Sequence, residues 1–237
     1  VDRTAADQAL ELVPTERDYS YTHRSFLGRA VRYLATEAGI DQFLDLGSGV
    51  PTVGNVHEIA RAHCPQAKVA HVDWEPIARH HARTLLGEDP QVSVTELDVC
   101  DVGEVLRSPG VAGLLDFSPN GRGLGVRRSR PRAHPDGAAL VERYRDACAP
   151  GSALAVSNNA QLSRTDDEVA ALRPLLAGTS TPHLHLRTAD EVAELFPGYT
   201  LVDPGVVPAA HWRPDLPVSD EQAARGNVLG AVGLLRR

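Results

Sequence analysis

Three acids stand where the chain pattern changes from an apolar run to a turn. Asp45, Asp73 and Asp98 each lie at the end of such a run, and Gly47 and Gly49 follow Asp45 almost at once. A carboxylate in that place can accept hydrogen bonds from paired hydroxyls or from an amino group. Glycines beside it let the backbone turn sharply and approach a ligand closely. The run FLDLGSGVPTVGN, residues 43–55, concentrates these features and feeds a helix near Asn55. The first N–H groups of that helix suit electron-rich ligand atoms. Asp73 lies 26 residues after Gly47, where an acid can accept from both hydroxyls of a ribose. Asp98 ends the third run, placed to accept from an adenine amine with Val99 or Cys100 against the ring.

The glycine spacing separates two classes of adenosine ligand. A dinucleotide site favours G-x-G-x-x-G, which seats a pyrophosphate on backbone N–H groups. Here Val50, Pro51, Thr52, Val53 and Gly54 follow Gly49, and Pro51 has no N–H to offer. An adenosine ligand without phosphate fits better, which points to S-adenosylmethionine. Any one of these acids alone reads equally well as a strand-end or helix cap. All three at successive strand ends favour the ligand reading. A nicotinamide-dependent oxidoreductase stays open as the alternative chemistry.

The elements that must position these residues follow from periodicity. Helical patterns run over 4–13 and 21–38, the first stopped by Pro14 and the second by Gly39. Strand and helix patterns then alternate. Strands are expected at 42–46, 68–73, 92–96, 153–157, 199–202 and 228–235. Helices are expected at 55–62, 76–86, 102–106, 138–148, 166–176 and 189–195. Such alternation implies an α/β fold with a doubly wound, mostly parallel sheet of the seven-stranded Rossmann-like type, preceded by N-terminal helices. We expect one domain over 1–237, with a helical cap at 1–40 and the core at 41–237. The stretch 119–132 departs from the pattern. It holds Arg122, Arg127, Arg128, Arg130 and Arg132 and no acid, where a fourth central strand belongs by position. Burying that charge in a strand costs heavily, so a basic surface loop is expected, or a locally shifted reading frame over an apolar strand.

Bulk properties bound the remaining classes. A hydrophobic content of 42% can supply a core, and a net charge of -7 argues against a general nucleic-acid surface. Cys64, Cys100 and Cys148 stand far apart, without metal-ligand spacing. His80–His81 and the alternating His183 and His185 have no visible partner set, so no metal site is expected. No membrane-spanning run is visible, and a cytoplasmic setting is expected.

The chain resembles the bacterial S-adenosyl methyltransferase family. The resemblance is carried by VDR at 1–3, HRSFLGRAVRYL at 23–34, QFLDLGSGVPTVGNVHE at 42–58, VDWEP at 72–76, LDF at 115–117, APGS at 149–152 and WRP at 212–214. It implies a Rossmann-like class I methyltransferase, with S-adenosylmethionine as cofactor and S-adenosylhomocysteine as product. It further implies a small-molecule acceptor, with secondary metabolism as a setting. Carried over by position, Asp45, Gly47, Ser48 and Gly49 line the cofactor loop. Asp73 holds the ribose beside Trp74, and Asp98 with Val99 meets the adenine. Arg24 pairs with the methionyl carboxylate, and Ser157 and Asn158 face the cleft mouth. Asn55 reads first as a helix N-cap. Relatives carry an aromatic, glycine-rich extension ahead of the equivalent of Val1, and an apolar strand after 115–118. A non-catalytic paralogue that binds the cofactor is a further alternative. His134, His183 and His211 are the candidate bases, and Trp212 is expected to pack the last strands.

Overall fold

The computed structural model describes residues 16–49, 54–75, 89–118, 124–129, 137–176 and 185–236. Helix α1, Glu16–Thr36, buries Phe26, Leu27, Ala30, Val31 and Leu34, one stripe at helical spacing. After Gly39, with φ of +70°, the chain enters β1 at Gln42–Leu46. Then come α2 (Val56–His63), β2 (Lys68–Asp73), β3 (Val92–Glu96), α3 (Val102–Arg107), α4 (Pro109–Ala112) and β4 (Leu124–Ser129). The second half holds α5 (Gly137–Arg145), β5 (Ala153–Asn159), α6 (Asp166–Leu176), α7 (Ala189–Ala193), β6 (Tyr199–Leu201), β7 (Val207–Pro208), α8 (Asp220–Arg225) and β8 (Val228–Leu235). A single 3-10 turn, Ala209–His211, lies between β7 and α8. The expected helices at 4–13 and 76–86 lie outside the described residues.

The strands form one sheet in the order β3-β2-β1-β4-β5-β8-β6, with β7 also paired to β8. β3 to β5 run parallel, and β8 is antiparallel to its neighbours. From β1 the chain winds outward through β2 and β3, then returns to place β4 on the other side of β1. That reversal opens a crevice beyond the carboxyl ends of β1 and β4. Alternate residues of each strand feed two cores. Leu44, Ala70, Leu154 and Val156 pack on the side of α3, α5 and α7. Phe43, Val69, Ala153 and Ala155 pack on the side of α1 and α2. Both faces are covered, so β1, β2 and β5 are buried along nearly their whole length, on both sets of alternate residues.

The arginine stretch corrects one expectation. Leu124–Ser129 is not a surface loop but the fourth central strand. Its backbone pairs with β1 on one side and β5 on the other, setting Arg127 between Asp45 and Ala155 and Arg128 between Leu46 and Val156. The physical reason is the ladder. Without β4, a whole edge of N–H and C=O groups on both β1 and β5 would be left unpaired in the interior, at a cost spread over many hydrogen bonds.

Helix α1 is fastened to the far half of the sheet. A Cβ on Gly230 of β8 would lie 2.7 Å from Phe26 Cε2, so only glycine allows the helix this close. Buried Arg29 donates from Nε to the Trp212 carbonyl at 2.8 Å and from Nη2 to the Ala209 carbonyl at 2.7 Å. Burial holds its pKa below the ordinary arginine value. Trp212 is 0% exposed, edge-on to Phe26 and Tyr33, and therefore packs rather than walling a pocket.

Candidate cofactor and acceptor site

The glycine loop folds back over the end of β2. Gly47 N–H donates to the Val72 carbonyl at 2.8 Å and Ser48 N–H to the same oxygen at 3.3 Å. Gly47 and Gly49 have φ of 71° and 68°, the left-handed region that other residues enter only with strain. Among the described residues, nothing lies within 4 Å of a Cβ placed on Gly49, so this glycine serves its backbone angle. Gly49 N–H donates to Asp73 Oδ2 at 2.7 Å, and Glu75 N–H to Asp73 Oδ1 at 3.0 Å. A carboxylate can accept about four hydrogen bonds. Asp73 therefore ties down the loop and retains capacity for ribose hydroxyls. Trp74, beside it, is 41% exposed.

Asn55 is the N-cap of α2, as its sequence context suggests, with φ of -71° and ψ of 159°. Glu58 Oε2 accepts from Gly54 N–H at 2.8 Å and Asn55 N–H at 2.9 Å. These two donors are thus bound within the chain rather than offered to a ligand. Past β3, Asp98 Oδ1 accepts from Cys100 N–H at 2.9 Å. Val99 is buried, and its carbonyl accepts from Tyr144 Oη–H at 2.8 Å. The turn that carries Asp98 is thereby set against α5.

Asp45 lies beneath the loop rather than along it. It is 2% exposed, and its Oδ2 is 3.0 Å from His71 Nδ1. His71 Nε2 is in turn 3.0 Å from His57 Nδ1. The three form a buried carboxylate–imidazole–imidazole chain linking β1, β2 and α2. Burial first, then the charge of His71, holds the His57 pKa below its ordinary value. Sequence reading missed this chain, although a signal was present. Parallel strands starting at Gln42 and Lys68 place Asp45 directly beside His71.

The other half of the crevice carries a second polar cluster. His23 Nδ1 on α1 is 2.9 Å from Ser157 Oγ on β5. Tyr19, one turn earlier, donates to Asn159 Oδ1 at 2.6 Å and meets the His23 ring edge-on at 4.6 Å. The Arg164 guanidinium packs 5.2 Å over the Tyr19 ring. Ser157, expected at the cleft mouth, is thus bonded to α1. Asn158 points to the opposite face, where its Oδ1 accepts from Arg187 Nη1 at 2.7 Å. Arg24 is exposed on α1, next to His23. Asn227 organises the segment behind the cluster, its Oδ1 accepting from the N–H groups of Leu162, Ser163 and Arg164 at 3.0, 3.0 and 3.1 Å. Of the candidate bases, His134 and His183 lie outside the described residues. His211 Nε2 is held 3.1 Å from the Val218 carbonyl. Among the described residues, no group of three His, Cys, Asp or Glu could hold a metal ion. Among them too, no helix is long and apolar enough to cross a membrane.

The strand order, the reversal at β1 and β4 and the loop at Gly47–Gly49 define a fold class, and the comparison with known proteins decides the family within it. The family model described as S-adenosyl methyltransferase matches residues 1–236. The chain belongs to the S-adenosyl methyltransferase family. Its cofactor is S-adenosylmethionine, and S-adenosylhomocysteine is the product. A Thermobifida fusca crystal structure described as a methyltransferase is similar at 36% identity and a TM-score of 0.90, covering 100% of this chain and 88% of that one. A DUF574 family protein from Streptomyces avermitilis is similar at 31% identity and a TM-score of 0.88, covering 99% of this chain and 90% of that one. Burkholderia thailandensis 1,6-didemethyltoxoflavin-N1-methyltransferase shares the fold, at 18% identity and a TM-score of 0.55, covering 98% of this chain and 87% of that one. A comparison with curated proteins finds no match. For this S-adenosyl methyltransferase family member, the left-handed Gly47–Gly49 turn and the remaining acceptor capacity of Asp73 fit an adenosine ligand of the cofactor's kind.

Proposed function

We propose that the chain methylates a small molecule bound over the carboxyl ends of β4 and β5. The observation that carries this reading is the division of the crevice. Gly47, Ser48, Gly49, Asp73, Trp74, Asp98 and Val99 gather on the β1–β3 half. The pairs His23–Ser157 and Tyr19–Asn159 gather on the β5 half. In this reading Asp73 takes the ribose hydroxyls, and Asp98 and Val99 take the adenine. Arg24 takes the methionyl carboxylate as a charge-assisted pair. Asp45 acts from beneath, through His71. The bound sulfonium supplies an electrophilic methyl group. What the protein adds is chiefly orientation, holding the acceptor in line with the carbon–sulfur bond. The net charge of -7 favours a small acceptor over a polyanion such as nucleic acid.

Calorimetry with S-adenosylhomocysteine against NAD tests the cofactor half. Saturable binding of the first and none of the second is expected, and the reverse would sink the reading. Release of S-adenosylhomocysteine from the methylated cofactor on adding phenol, amine or carboxylic-acid acceptors tests turnover. Binding without release from any acceptor would favour a non-catalytic role.

A further inference from the structure

We infer that Arg187 is an acceptor-binding residue, and that it selects a small molecule carrying a carboxylate. The inference rests on the methyltransferase reading above and deepens it by naming the acceptor's charged group. Strand register sets the place. The last β4–β5 pair is Ser129 with Ser157, and β5 continues past it for two residues, Asn158 and Asn159. Both stay paired to β8, with Leu229 and Val228. β1, β4 and β5 run parallel, so these two residues stand at the same carboxyl-end rim from which the Gly47–Gly49 loop leaves β1.

Two bonds fasten Arg187 to this strand end. Its backbone N–H donates to the Asn159 carbonyl at 2.9 Å, and its Nη1 donates to Asn158 Oδ1 at 2.7 Å. Asn158 is buried, and its Nδ2 donates to the Asn159 carbonyl at 2.7 Å, which fixes the amide. On the other side of Arg187, Thr188 is the N-cap of α7. The guanidinium is thus positioned by a strand end and a helix start together.

What this frame leaves unmatched is the charge. Arg187 is half-buried, and burial holds its pKa below the ordinary arginine value, against the opposing effect of Glu191. Its side-chain partner among the described residues is a neutral amide. Glu191 is committed to the helix cap, where its Oε2 accepts from Thr188 N–H at 2.8 Å. The run AGTSTPHL at 177–184, close before Arg187, contains no acid. A guanidinium carries five N–H donors in a planar fork that matches a carboxylate, and a partly desolvated cation gains most from an anion brought by a ligand. One cation near one acid suits a single negative charge, which favours a carboxylate over a phosphate with close to two.

The test needs no known acceptor. Protein labelled with nitrogen-15 is followed by NMR as acetate, benzoate, their uncharged amides or inorganic phosphate is added, with and without saturating S-adenosylhomocysteine. The Arg187 Nε–H signal should shift saturably with at least one of the two acids, which should bind about ten-fold or more tightly than its amide. Arg187→Gln should abolish that preference, and Arg187→Lys, which keeps the charge without the fork, should retain part of it. An Arg187 signal that neither acid moves, or equal binding of acids and amides, overturns the assignment. Tighter binding of phosphate at Arg187 overturns the carboxylate class. Displacement of the acid by S-adenosylhomocysteine would place the cofactor's own carboxylate on Arg187 and overturn the acceptor role. Failure of S-adenosylhomocysteine to bind is read from the Gly47–Gly49 amides instead. It sinks the methyltransferase reading and the acceptor role with it, whereas a silent Arg187 beside bound S-adenosylhomocysteine sinks this inference alone.

Discussion

Gly49 N–H donates to Asp73 Oδ2 at 2.7 Å, so the carboxylate that sequence assigns to a ribose also fastens the loop facing it. The proposed ribose contact and the observed loop contact fall on one side chain, so removing it should impair both. Asp73→Ala is expected to weaken S-adenosylhomocysteine binding by about ten- to a hundred-fold, the loss typical of charge-assisted hydrogen bonds. Calorimetry reads this directly. Affinity within two-fold of the parent protein would show that Asp73 serves the loop alone.

Asn227 is a second single-residue anchor. It is 0% exposed with φ of +48°, and its Oδ1 takes three consecutive backbone N–H groups. Asn227→Gly tolerates the backbone angle but strands those donors, at a cost of about 3 kcal/mol or more. Asn227→Ala adds backbone strain of roughly 1 kcal/mol. Urea unfolding should therefore rank parent, glycine and alanine in falling order. Equal stability of all three would refute the anchor.

The buried chain Asp45–His71–His57 predicts acid sensitivity. Burial and His71 hold the His57 pKa below 6.5 in the folded state. The unfolded chain therefore binds the proton more readily in that window. Stability is full above the unfolded value and is lost as pH falls below it toward the folded value. The urea midpoint should drop between pH 7 and pH 5.5, and less steeply in His57→Gln. An unchanged slope in that variant would assign the effect elsewhere.

Alkaline behaviour has a separate origin. Burial pushes the Cys148 thiol up to about 12 and raises the Tyr199 phenol above its ordinary value of 10.0. Both folded groups hold their protons more tightly than the unfolded chain does. Their contribution is complete below pH 9 and is lost as pH rises through the higher folded values. Cys148 should also resist alkylation at pH 8 until the protein unfolds. Rapid labelling of native protein at that position would contradict the burial argument.

The local parts of this site were legible in the chain. Each strand end and its acid lie within a few residues, so Asp45, Asp73 and Asp98 could be placed from apolar runs followed by turns. Gly47 and Gly49 were legible because a reversal after a buried strand needs positive φ, and Asn55 because helix capping is a matter of adjacent residues. Several short elements left no such pattern. Among them are α4, β7 and α8, too brief to show a period. β4 carried a pattern that pointed away from a strand, and only the unpaired edges of β1 and β5 explain why one forms there.

Sequence by itself thus determined the strand ends and the glycine loop, whose residues follow one another along single strand-to-turn segments. Tertiary structure alone decided the rest. Asp45 turns under the loop because the parallel register of β1 and β2 sets His71 beside it. His23 meets Ser157, 134 positions away, because α1 crosses the sheet. The physical reason is range. Hydrogen-bond geometry within a turn is written in neighbouring residues, whereas a side chain's partner across a sheet is fixed by strand order and helix packing.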